Sequence, residues 1–99
     1  MAKLKITVLK RELYKDLIEE YGSDKNLPLC PRVYEGQEFY SDTHGMPEGF
    51  CTWAWADLQR DAVAVFNGAG FPWMKDKGII ISACTDGFRP VIFKVERVE

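Results

Sequence analysis

The chain has 99 residues, 46% of them hydrophobic, with 13 basic and 15 acidic side chains and a formal net charge of −2. That length and apolar content suit one globular domain spanning residues 1–99 and exclude a disordered segment. The balanced charge lacks the clustered Lys and Arg that nucleic acid or an anionic membrane requires, and no apolar run approaches a membrane span.

The N-terminus passes from "MAKLK" straight into alternating residues, without the apolar block of a signal peptide, so the expected address is the cytoplasm. In "KLKITVLK", Leu4, Ile6 and Val8 point one way and Lys3, Lys5 and Thr7 the other, which predicts a half-buried strand. The period then changes. Leu13, Leu17 and Tyr21 are four apart, with Tyr14 and Ile18 beside them, and Lys15, Asp16, Glu19 and Glu20 opposite. This predicts a short amphipathic helix from Leu13 to Tyr21, stopped by Gly22. "LPLCPRVYEGQEFY" holds two prolines that favour extended backbone before them, then a turn at Gly36 and a strand around Glu38–Tyr40. "DTHGMPEG" reads as loop.

A main helix is expected over Thr52–Phe66, with Thr52 as N-cap and Gly68, Gly70 and Pro72 ending it. In "GIIISACTDGFRPVIFKVERV" two β-branched runs flank Asp86-Gly87, the signature of a hairpin with a two-residue turn. That turn would set Cys84 opposite Arg89, on one face with Ile80, Ser82, Val91 and Phe93. The fold class is therefore α+β. A mostly antiparallel sheet of about four strands, with a C-terminal hairpin, packs on one main helix and one short helix.

At about 100° per residue, Trp55, Leu58, Ala62, Val65 and Phe66 share one side of the main helix. Trp53 falls opposite, with Asp57, Arg60 and Ala64. Trp55 is thus expected in the core. Trp53 needs another cover: the "GFPW" loop or the hairpin, a partner chain, or a ligand. Asp57 and Arg60, three apart, are placed to pair with each other.

Cys30, Cys51 and Cys84 are the three cysteines, an odd number with no CxxC pair, which argues against a disulfide framework or a local zinc motif. Cys51 stands at or just before the helix start, where the macrodipole and free N–H groups favour an anion and burial opposes one. As structural residues, Cys51 would pack under Trp55 and Cys84 would fill a small space near the turn. As working residues, Cys51 with Cys84 or Cys30 would make a thiol-dependent redox protein or enzyme. His44 is the sole histidine. With Cys51 it forms the one nearby Cys–His combination, and with Cys30, Cys51 and Cys84 a conceivable but unpatterned metal set. GxGxxG, P-loop and GxSxG motifs are absent, so no cofactor is named by the sequence.

The stretches "ITVLKRE", "CPRVYEGQEF", "MPEGFCTWAWADLQRD", "GFPW" and "CTDGFRPVIFKVER" resemble a small family of uncharacterised bacterial and archaeal proteins of about this length. The GFCTWAWAD and CTDGFRPV blocks are the distinctive ones. The resemblance implies that these blocks belong together, and it assigns no catalytic residue. The favoured expectation is a binding or accessory module. Trp53, Phe71, Trp73 and Arg89 would line a pocket or surface for a small molecule or a protein partner. Self-association into a homo-oligomer is left open.

Overall fold

A computed structural model describes residues 1–99. Its elements run β1 (Lys3–Arg11), α1 (Lys15–Tyr21), β2 (Glu38–Ser41), α2 (Thr52–Phe66), β3 (Ile79–Ala83) and β4 (Val91–Val98). The four strands form one sheet in the order β2-β1-β4-β3, with every neighbouring pair antiparallel. The first and last strands of the chain therefore pair at its centre. No helix is long and apolar enough to cross a membrane.

The period-two pattern of β1 sends Leu4, Ile6 and Val8 to one face, where each is at most 1% exposed. Val91, Phe93 and Val95 of β4 and Ile80 of β3 extend that face, and α2 lies across it. Burying an aliphatic or aromatic side chain of this kind contributes about 1.5–3 kcal/mol. The other face is ionic, with Lys5 paired to Glu38 at 3.2 Å and Lys94 to Glu96 at 3.1 Å. A β-bulge between Val8 and Lys10 inserts Leu9, which is left 41% exposed.

The main helix has the expected bounds, but its start differs. Cys51, extended at φ −68° and ψ 123°, is the N-cap, and Thr52 is the first helical residue. Its C-terminus closes in a Schellman motif. Ala69 N–H donates to Ala64 O at 2.9 Å and Gly68 N–H to Val65 O at 3.0 Å, with Gly68 at φ +89°. The buried stripe is Ala54, Leu58, Asp61, Ala62 and Val65, centred nearer Ala54 than Trp55. Trp55 is half-buried beside Phe50, with ring centroids 6.2 Å apart. Phe50 itself is 5% exposed and packs on both Phe39 and Phe93. Asp61 fits this stripe because Ser82 Oγ donates to it at 3.1 Å.

In α1 only Ile18 is buried, and Leu17 and Tyr21 face solvent at 38% and 70% exposure. Two turns reach the rest of the fold along one narrow line, so the wider apolar set has nothing to pack on.

The hairpin exists, but its loop is not two residues long. Ala83 pairs with Ile92, and Cys84 N–H donates to Val91 O at 3.1 Å, which leaves Thr85–Pro90 as a six-residue loop. Asp86 shapes that loop: its Oδ1 accepts from the N–H of Phe88 at 3.0 Å and of Arg89 at 3.1 Å. Gly87 does not take the positive φ that a tight Asp-Gly turn needs. Cys84 thus stands opposite Val91, not Arg89. Because the register differs by two residues, it stays on the expected face.

Candidate functional site: a three-thiol cavity at the start of α2

Three segments remote in sequence meet at one end of the sheet. The loop before β2 brings Cys30, Arg32 and Val33, the start of α2 brings Cys51–Ala54, and the β3–β4 loop brings Cys84, Asp86 and Arg89. Together with Val91 and Phe93 of β4 they enclose a half-open cavity of about 340 Å³. Small-molecule sites commonly begin near this size. Val33, Ala54, Val91 and Phe93 are buried and form an apolar floor.

Each wall has a physical anchor. Arg11 holds the first loop: its Nη1 donates to Cys30 O at 2.9 Å while its Nη2 pairs with Glu35 at 3.0 Å. The hydrogen bond from Arg11 is the main reason the Glu35 carboxyl lies below its usual range. Arg89 reaches the same loop through Pro28 O at 3.3 Å and pairs with Asp86 at 3.5 Å. Asp57 clamps the third wall to α2. It accepts from Thr85 N–H at 2.8 Å and from Thr85 Oγ1 at 3.0 Å. It therefore serves the hairpin loop and not Arg60, which lies 3.5 Å from Asp61 instead.

All three cysteines are free thiols, each partly buried. Cys84 Sγ accepts from Val91 N–H at 3.3 Å, whereas the sulfurs of Cys30 and Cys51 have no hydrogen-bond partner. The first backbone bond of α2 runs from Trp55 N–H to Cys51 O at 2.9 Å. The N–H groups of Thr52, Trp53 and Ala54 consequently have no acceptor in the chain, and no side chain caps the helix. Arg11 and Arg89 each have a carboxylate partner, while Arg32 has none. Against one acidic wall residue, Asp86, the lining sets two cations, Arg32 and Arg89, so the cavity carries a net positive charge.

The expected aromatic site is divided by the structure. Trp53 stands at the cavity rim, 68% exposed, and neither "GFPW" nor the hairpin covers it. Phe71 and Trp73 pack together in the loop after α2, their rings tilted by 43° with centroids 5.2 Å apart, and Trp73 is 71% exposed. Neither lines the cavity. A helix of 15 residues spans about 22 Å and sets Trp53 and the Phe71–Trp73 pair at its opposite ends. Arg89 does join Trp53.

His44 is also at the far end, with its ring 6.1 Å from that of Phe66. It meets none of the cysteines in the cavity, so neither the Cys51–His44 pair nor the four-residue metal set is assembled. No group of three or more His, Cys, Asp or Glu side chains is gathered closely enough to hold a metal ion.

Arg32 and Thr52 on the walls and Val33 on the floor are lining residues that sequence reasoning missed. The one local signal for Arg32 is its neighbourhood: "CPR" sets a thiol and a cation on a stretch stiffened by Pro31. No protein-family model, curated protein or solved structure matches this chain.

Proposed function

We propose that this protein is a small-molecule binding module whose site is the cavity at the start of α2. The observation that supports the reading is the convergence of three remote segments on one half-open space with an apolar floor and polar, cationic walls. The unpartnered Arg32 and the free N–H groups of Thr52–Ala54 favour an anionic ligand. Exposed Trp53 offers a flat apolar surface for the ligand's body. The blocks GFCTWAWAD and CTDGFRPV both contribute lining residues to this cavity.

A second reading, thiol chemistry at the same place, is favoured by the presence of Cys30, Cys51 and Cys84 on one cavity rather than scattered through the fold. The address expected from the sequence remains the cytoplasm, where cysteines stay reduced.

Two-dimensional amide NMR with a panel of inorganic phosphate, citrate, benzoate and reduced glutathione tests the binding reading. Saturable shifts are expected at Thr52–Ala54, Cys84 and Arg89. Shifts confined to Phe71–Met74, or none with any member of the panel, would refute the proposed site.

A further inference from the structure

The three-thiol cavity combines features that each suit a different part of one ligand class. Arg32, on the wall, has no carboxylate partner, and Arg89 meets its partner Asp86 only at 3.5 Å. A guanidinium in that state suits a carboxylate on the ligand. Two of the lining cysteines, Cys30 and Cys51, have sulfurs that accept and donate no hydrogen bond, whereas Cys84 is held in a sheet-like pairing with Val91. All three cysteines line the space of about 340 Å³, and no metal-holding group forms among them. Such a lining suits a molecule that is small, negatively charged and reactive toward sulfur.

We propose that the cavity takes a carboxylate-bearing low-molecular-weight disulfide and forms a mixed disulfide with it through Cys30 or Cys51, with Arg32 and Arg89 selecting for the carboxylate. This rests on the reading of the cavity as a small-molecule site. In the step, the thiolate of the cysteine attacks one sulfur of the bound disulfide. A protein–ligand S–S bond forms as the ligand's own S–S bond breaks. The second half leaves as a thiolate and takes up the proton given up by the cysteine. The cysteine sulfur is oxidised and the departing half reduced, so no further oxidant is needed.

The test uses three disulfides that differ in charge: oxidised glutathione, hydroxyethyl disulfide and cystamine. Adduct formation on the reduced protein is followed by intact mass, and rates are divided by those of a short unstructured cysteine peptide. Peptide mapping locates the adduct. The anionic disulfide is expected to exceed cationic cystamine by about tenfold or more at low salt, a gain that shrinks as salt is added. Adducts are expected at Cys30 or Cys51. Arg32→Gln, a change at an exposed side chain, is expected to remove most of the preference while leaving the circular dichroism spectrum unchanged.

Equal normalised rates for the three disulfides, a preference for cystamine, or adducts confined to Cys84 would overturn the proposal. The same holds if Arg32→Gln keeps the full charge preference. The double variant Cys30→Ser, Cys51→Ser separates this from the binding reading. If it still shows saturable cavity shifts with citrate or phosphate while the parent protein forms no adduct, the site binds anions and the thiol proposal alone fails. If both measurements are blank, the binding reading fails with it.

Discussion

Arg11 links an exposed ion pair to the placement of a thiol. Its guanidinium binds Glu35 and the Cys30 carbonyl at once, so the pair holds a cavity wall in position. The Glu35 carboxyl is held below its ordinary value, first by the Arg11 hydrogen bond. A carboxylate depressed in the folded state contributes stability above its unfolded pKa, and that contribution is lost as pH falls through the lower folded value. Glu35→Gln should therefore melt below the parent at neutral pH, with the gap closing as pH drops below about 4. Melting curves across that range check this; a gap independent of pH would show that the charge is not what holds the loop. A similar depression of Glu38, by the hydroxyl of Tyr40 and then Lys5, lies at the β1–β2 edge and does not touch the cavity. Asp57 likewise has its partner far along the chain. On a wheel it faces away from the core with Arg60, yet the β3–β4 loop folds back to meet it.

At the scale of elements, α2 organises the molecule through its two ends. Its start, without a side-chain cap, leaves donors free beside the cavity. Its finish is closed by Gly68 at φ +89° and by Arg97 Nη1, which donates to Phe66 O at 3.1 Å. A side chain at Gly68 would meet the left-handed region at a cost of about 1–2 kcal/mol. Gly68→Ala should lower the urea midpoint correspondingly and leave ligand binding at the other end intact. An unchanged midpoint would mean that the Schellman turn contributes nothing to stability. The same helix explains why the aromatic residues do not gather: about 22 Å of rigid rod keeps Trp53 and Trp73 apart, whatever their resemblance as exposed tryptophans.

For the whole molecule, the pairing of β1 with β4 joins the two ends of the chain at the centre of the sheet. These strands carry fully buried residues, with Leu4, Ile6 and Val95 at 0% exposure, and pack them against Leu58, Ala62 and Val65 of α2, which are as deeply buried. Edge strand β2 and the seven-residue α1 bury far less. Amide exchange should accordingly be slowest in β1 and β4 and fastest in α1 and β2. Protection as strong in α1 as in β4 would contradict this order and imply a contact on the Leu17–Tyr21 face. The cavity lies where the central β4 meets two loops, so its floor is rigid and its walls depend on the Arg11 and Asp57 anchors.

Local patterns account for most of the elements. Alternation in "KLKITVLK", the apolar spacing from Thr52 to Phe66 and the paired β-branched runs around Asp86 each report a nearest-neighbour property, and each predicts its element. They also report that Trp53 and Trp55 cannot share a face. Hairpin loop length was out of reach, because Asp86 can serve either a tight turn or the wider loop that its side chain caps here. The inward side of α1 was out of reach as well, since amphipathicity states which residues could be buried and not whether a surface exists to bury them. Where the three cysteines meet is a matter of tertiary structure alone. Intervals of 21 and 33 residues carry no periodic signal, and only closure of the sheet over α2 brings those thiols to one cavity while taking His44 and Trp73 to the other end.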